Sequence, residues 1–281
     1  MRIGLVGFGK TGRSVASVLL NDPEMRLEWV VRRSEKLEHR SVPEFFGIES
    51  DDPGLIHRVS EFSADELLDQ HPVDVIIDFS AEDGIDYYGS AAAARRIGIV
   101  TAISHYAPEK QATLRQLSTR TAVLWSPNIT IGINFLILAA QSLRRIAPHT
   151  DIEIIEEHFK LKDGVSGTAK LIGRALDVEE ADIKAVRAGG IIGVHEILFG
   201  FPYQVVRLRH ESIAREAFGD GARFAAKGLR GRAPGLYKME DLMLPMFAGA
   251  TPHPAPVTPT LRERSRRFGF FGFSRVSEPQ G

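Results

Sequence analysis

Cysteine is absent from all 281 residues. That excludes disulfides, thiolate zinc sites and a cysteine nucleophile, and it suits a reducing cytosol. A charge excess is missing too: 35 Lys and Arg face 36 Asp and Glu, a formal net charge of −1. No field of one sign draws the chain to nucleic acid. Long apolar runs are scarce. The longest, around 129–140, is interrupted by Thr130 and Asn134 and falls short of the ~20 residues of a membrane span. The opening "MRIGLVGFG" enters a strand directly, without the basic start and apolar stretch of a secretory leader. These absences predict a cytoplasmic protein with no nucleic-acid or membrane partner and no metal.

What is present reads as α/β. The apolar strands "RIGLVGF", "LEWVV", "VDVIIDFS", "GIVTA" and "AVLW" alternate with helical stretches. One helix opens on Ser63-x-x-Glu66, the spacing of a capping box. "VDVIIDFS" is apolar on both faces, as a central parallel strand is. Alternation of this kind predicts a parallel sheet covered on both sides. After Asn128 the pattern changes. A helix is expected over 130–146, a strand over 151–161 and a short helix from Thr168. "AVRAG", "GVHEILFG" and "YQVVRLRH" follow as strands with short turns, so a second, mostly antiparallel domain is expected. A last helix is expected over 213–229. Residues 247–281 are proline-rich, then basic with interleaved Phe and Gly. They predict a disordered tail, the alternative being a segment that docks on a membrane surface or a partner.

The first chemistry lies in "GFGKTG". Gly7, Gly9 and Gly12 follow a strand and open a helix, the context in which Gly-x-Gly-x-x-Gly cradles a dinucleotide pyrophosphate. About 20 residues on, an NAD site places an acid for the ribose 2′-hydroxyl. Arg32 and Arg33 stand there instead, followed by Ser34. Two cations suit a 2′-phosphate. NADPH is therefore the preferred cofactor, with NADH admitted; the alternative is a pair of solvated arginines.

The second lies in "EEHFKLKDGVSGTAKLIGRAL", 156–176. Ser166-Gly167-Thr168 opens a helix whose free N–H groups and hydroxyls suit a carboxylate, or form a plain cap. Lys162 offers a cation and a proton. His158 has the same strand parity as Lys162 and is expected on the same side. Lys160 reads as a solvated charge, and a structural histidine is the alternative for His158.

Several stretches occur in order: "SPNITIGIN", "DIEIIEEH", Lys162, "SGTA", "RAGGIIGVHEILF", "HESIAREAF" and "PGLYKMEDL". Together they resemble the 4-hydroxy-tetrahydrodipicolinate reductase (dihydrodipicolinate reductase) family over nearly the whole chain, to about Met246. The resemblance implies a Rossmann-type parallel sheet domain plus a smaller mixed α/β substrate and oligomerisation domain. The boundaries expected are 1–128, completed by 215–246, and 129–214. It implies an NAD(P)H-dependent oxidoreductase of diaminopimelate and lysine biosynthesis, usually a homotetramer. It also implies His158 and Lys162 as catalytic residues. Cofactor contacts are implied at Gly7, Gly9, Lys10, Thr11, Gly12, Arg32, Arg33, Phe79, Ser80, Ala102, Ser104 and Asn128. Substrate contacts are implied at Ser104, Phe159, Ser166, Gly167 and Thr168.

Three departures stand out. The family commonly has two adjacent histidines, and here the second is Phe159. Its lysine loop usually reads Asp-Ala-Pro-Ser-Gly-Thr, and here Asp163-Gly164-Val165 precedes Ser166. A loop that usually reads Gly-Thr-Thr-Gly is Ala102-Ile103-Ser104-His105. They mark either a shorter divergent subgroup or another imine substrate. The competing readings are a related imine reductase or amino-acid dehydrogenase, and a non-catalytic NADPH-binding regulator.

Overall fold

The computed structural model describes residues 1–34 and 39–248. Eleven strands and nine α-helices succeed one another among them. The first half runs β1 (Arg2–Val6), α1 (Lys10–Leu20), β2 (Arg26–Arg32), α2 (Val42–Phe46), β3 (Leu55–Arg58), α3 (Ala64–Gln70), β4 (Val75–Asp78), α4 (Gly84–Ala94), β5 (Gly98–Thr101), α5 (Pro108–Ser118) and β6 (Ala122–Trp125). The second runs α6 (Ile131–Ile146), β7 (Asp151–His158), α7 (Gly167–Leu176), β8 (Lys184–Arg187), β9 (Val194–Gly200), β10 (Val205–Glu211), α8 (Glu216–Leu229), β11 (Gly235–Tyr237) and α9 (Met239–Ala248).

Seven strands form one sheet in the order β11-β6-β5-β4-β1-β2-β3, and every pairing in it is parallel. This is the Rossmann-type arrangement expected. The strand order reverses between β1 and β4, which leaves a crevice outside their carboxyl ends. One core lies on the face covered by α1 and α8, with Val15, Leu19, Ala222 and Ala225 fully buried. The other lies under α3, α4 and α5, around Trp29, Tyr88 and Leu114.

The smaller sheet has the order β10-β9-β7-β8. Two of its pairings are antiparallel and β7–β8 is parallel, because α7 carries the chain back between them. A third core joins it to α6 and α7 through Ile137, Ile154, Ile172 and Phe199.

The structure corrects several expected boundaries. β7 stops at His158, and a turn occupies Lys160 and Leu161. The strand parity that linked His158 to Lys162 therefore does not extend that far. α8 is not the last helix: β11 adds to the parallel sheet beside β6, and α9 follows. A three-residue strand shows no alternation, and Pro245 lies inside α9, so neither signal was present. The expected tail lies outside the described residues, apart from its first two positions at the end of α9. Among the described residues no helix is long and apolar enough to cross a membrane.

A further cleft, about 1180 Å³, lies at the opposite end of the parallel strands and is lined by Arg2, Arg95, Arg96, Arg120, Arg230 and Arg232. Five of the six lie at or just beyond the C-termini of α4, α5 and α8. Cations there complement the negative ends of the helix dipoles. That accounts for the arginines without a ligand.

Candidate active site

The glycine turn sits at the crevice between β1 and β4. Gly7 has φ +96°, and a Cβ there would stand 2.7 Å from the backbone of Phe79. At Gly12 a Cβ would stand 2.1 Å from the Gly7 carbonyl oxygen. Only glycine permits both approaches. Gly9 caps α1 with no side-chain hydrogen bond, and the first turn carries no acid. The free N–H groups and helix dipole are thus left for an anion.

Two clefts open here. The first, about 550 Å³, is lined by Gly7, Gly9, Arg32, Arg33, Phe79 and Ser80 among others. The second, about 430 Å³, is lined by Thr11, Phe79, Ser80, Ala102, Ser104 and His105 among others. Phe79 and Ser80 form a wall common to both. The dimensions and donors suit a dinucleotide that lays its pyrophosphate on the α1 terminus between two pockets. Lys10 is exposed at that terminus, while Gly12 is buried beneath the turn. Arg33 is paired with Asp83 at 2.6 Å, an acid of the same cleft. Arg32 carries no ion pair among the described residues, so it is the more available cation.

Asp78 was missed by sequence reasoning, although it stands in the motif "IIDFS". It is fully buried. It accepts hydrogen bonds from the Ser80 amide at 2.8 Å, the Ser80 hydroxyl at 2.6 Å and the Tyr88 hydroxyl at 2.9 Å. Burial pushes its pKa up to about 6, against the pull of those three donors. Asp78 therefore fixes the loop that walls both clefts.

Asn128 lies where the chain leaves the parallel sheet. Its Nδ2 donates to the Thr168 hydroxyl at 2.9 Å, and its Oδ1 accepts from the Thr130 hydroxyl at 2.8 Å. It ties the hinge to the start of α7. At that start, Ser166 turns inward: it is 4% exposed, and its Oγ accepts from the Ala169 amide at 3.0 Å and faces His195 Nε2 at 3.1 Å. Of the two hydroxyls expected at an anion site, only that of Thr168 remains near the surface. Gly167 is exposed, with open space where a Cβ would be. The Gly167 and Thr168 amides lie in the first helical turn and face no intrahelical acceptor.

Beside this helix start lies a buried polar cluster that sequence reasoning found only in part. Glu156, on β7, has no exposed surface. Its Oε1 accepts from Arg187 Nη2 at 2.5 Å, and its Oε2 lies against His158 Nδ1. Burial alone would raise Glu156, but Arg187 and His158 together hold its pKa below the usual carboxylate value. His158 is displaced below the usual imidazole value, by burial first and then by the charges of Lys162 and Arg187, against the pull of Glu156. Burial, with His158 nearby, pushes His195 down to about 4. The two rings pack edge to face at 5.3 Å.

Lys162 is half-buried and its carbonyl accepts from Arg187 Nε at 3.0 Å. Its charge acts on both His158 and His195. The turn after β7 brings it there, in place of strand parity. Lys160 is exposed and ties its amide to Gly189. Phe159 is 45% exposed beside the same turn. Glu156, His158 and His195 offer donor atoms within 4.8 Å of one another, a spacing a metal ion accepts. Arg187 already neutralises Glu156, and Lys162 adds a second positive charge. The cluster is better suited to holding a proton than a cation.

Comparison with known proteins gives a consistent result. The family model for dihydrodipicolinate reductase, N-terminus, matches residues 1–129, and that for the C-terminus matches residues 132–243. The chain is 33% identical over 257 residues to a 4-hydroxy-tetrahydrodipicolinate reductase of Caldanaerobacter subterraneus subsp. tengcongensis, covering 84% of this chain and 94% of that protein. It is 30% identical to the enzyme of the same name from Thermosipho africanus, covering 88% of this chain and all of that one. Its fold is similar to that of the dipicolinate-bound dihydrodipicolinate reductase from Paenisporosarcina sp. TG-14, with a TM-score of 0.71 at 20% identity over 86% of this chain and 98% of that one.

Proposed function

The chain belongs to the dihydrodipicolinate reductase family, and from that premise we infer that it reduces 4-hydroxy-tetrahydrodipicolinate to tetrahydrodipicolinate, in diaminopimelate and lysine biosynthesis. It is an NAD(P)H-dependent oxidoreductase. Gly7, Gly9 and the α1 terminus would hold the cofactor pyrophosphate. The clefts flanking Phe79 and Ser80 would take its two ends. Bound nicotinamide supplies the hydride. NADPH is the preferred form, because Arg32 lines the first cleft with no ion pair among the described residues, where an NAD site requires an acceptor for the 2′-hydroxyl.

The observation that carries the substrate assignment is the open start of α7 beside the charge of Lys162. Gly167 and Thr168 present amides and a hydroxyl to one carboxylate. Lys162 adds the cation that a dicarboxylate ring requires. Hydride addition leaves an electron-rich ring that needs a proton, and Lys162 supplies it. The site is proposed to work in a cytosolic homotetramer, as the family resemblance implies.

The test is NADPH oxidation with freshly generated 4-hydroxy-tetrahydrodipicolinate, compared with 2-oxo acids plus ammonia. Turnover of the first and not the second is expected. Lys162→Met should lower kcat by at least ~10²-fold with NADPH affinity retained, and Lys160→Met should change little. Faster turnover of a 2-oxo acid would move the chain to an amino-acid dehydrogenase reading, with Phe159 as the first residue to blame. Equal losses at the two lysines would overturn the assignment of Lys162.

A further inference from the structure

His158 has two ring nitrogens in different surroundings. Nδ1 is buried against Oε2 of Glu156, which has no exposed surface. Nε2 lies on the other side of the ring beside Gly193, where an added Cβ would stand only 3.1 Å away. A buried carboxylate has no water to satisfy it, so it strongly favours a proton on the nitrogen it faces. The carboxylate is itself fixed from behind. Its Oε1 accepts from Arg187 at 2.5 Å and, at 3.4 Å, from the Ser166 amide.

We propose that Glu156 is a positioning residue that holds the proton of the neutral His158 on Nδ1, so that Nε2 faces the reductase site as a hydrogen-bond acceptor. The proposal rests on placing His158 in that site. His158 then donates no proton to the substrate. It accepts a hydrogen bond, from the Lys162 ammonium or from the ring, and the proton comes from Lys162 alone. The charges around the ring agree. Lys162 from the turn and Arg187 from β8 oppose an imidazolium, His195 from β9 opposes it as well when charged, and only Glu156 on β7 favours it. His210 of β10 bears on His195. Burial decides the balance, so the imidazole is neutral at neutral pH.

The substitution Glu156→Gln separates charge from shape. A glutamine has one acceptor oxygen, and the Arg187 guanidinium takes it. The amide N–H₂ then faces Nδ1 and forces that nitrogen to accept. The tautomer should reverse.

The experiment is long-range 1H–15N correlation on the full-length protein labelled in histidine, without substrate. Wild type should show His158 protonated on Nδ1 with a lone pair on Nε2. Glu156→Gln should show the reverse, with kcat reduced roughly 10²-fold and NADPH affinity within about twofold. Arg187→Met should keep the Nδ1 proton and raise the pH at which His158 becomes charged, because one opposing cation is gone. A wild-type His158 protonated on Nε2 overturns the proposal, and so does an unchanged tautomer in a folded Glu156→Gln protein. Stoichiometric zinc binding that shifts His158 and His195 together overturns it in favour of a metal site. If Glu156→Gln does not fold, the wild-type spectrum decides. The expected tautomers without turnover of the dipicolinate precursor would sink the substrate assignment and leave the role of Glu156 standing.

Discussion

Asp78 makes an unusual demand on stability, and Asp78→Asn measures it. The carboxyl is fully buried at the end of β4 and its pKa is pushed up to about 6 from 3.8. A carboxyl with a raised folded-state pKa behaves opposite to a salt-bridged one. The folded protein holds the proton more tightly than the unfolded chain, so acidification stabilises it. The gain begins as pH falls through about 6 and is complete below about 3.8. Two units correspond to about 3 kcal/mol in full, and about 1.4 kcal/mol of this is present by about pH 5. The asparagine side chain is isosteric with the carboxyl and does not titrate. Urea unfolding of both proteins at about pH 7.5 and about pH 5 isolates the effect, because all other titrating groups cancel in the difference. The wild type should gain about 1.4 kcal/mol on the variant between the two conditions. A gap that does not change with pH refutes the raised pKa. A gap that moves the other way means Asp78 is ionised and held by its three donors.

Arg32→Ala should weaken NADPH by about 1.5–3 kcal/mol, the value of a charge-assisted hydrogen bond, and NADH far less; equal losses in a binding titration would remove the 2′-phosphate from this cleft. Gly12→Ala places a Cβ 2.1 Å from the Gly7 carbonyl oxygen, so NADPH affinity should fall at least about tenfold, near 1.4 kcal/mol, and Tm should drop. A normal titration and melt would show that the turn yields freely. Thr168→Val removes the acceptor of the Asn128 amide and should cost about 1 kcal/mol, seen as a severalfold higher substrate KM with NADPH affinity intact. Unchanged kinetics would return the start of α7 to a plain helix cap.

The local signals in this chain were strong enough to read directly. Strand–helix alternation was enough for the parallel sheet, because each apolar run is short and a helical stretch separates it from the next. The glycine turn was legible because Gly7, Gly9 and Gly12 fall between a strand and a helix, and backbone geometry at such a turn depends on neighbours in sequence. The cations at the end of β2 and the Ser-Gly-Thr helix start were legible for the same reason. What escaped depends on contacts between distant residues. Glu156 and Arg187 are 31 positions apart and meet only because β8 pairs in parallel with β7. Glu156 shares a strand with exposed acids such as Glu153, and nothing local marks it as the buried one. Asp78 reads as a polar strand end until Tyr88 and Ser80 close over it. The inward turn of Ser166 requires His195 from another strand. Lys162 reaches the histidines through a turn that alternation along β7 could not supply. A sequence specifies backbone preference and polarity position by position. The desolvation that sets charge and tautomer at Glu156, His158 and Asp78 exists only when separate elements exclude water together.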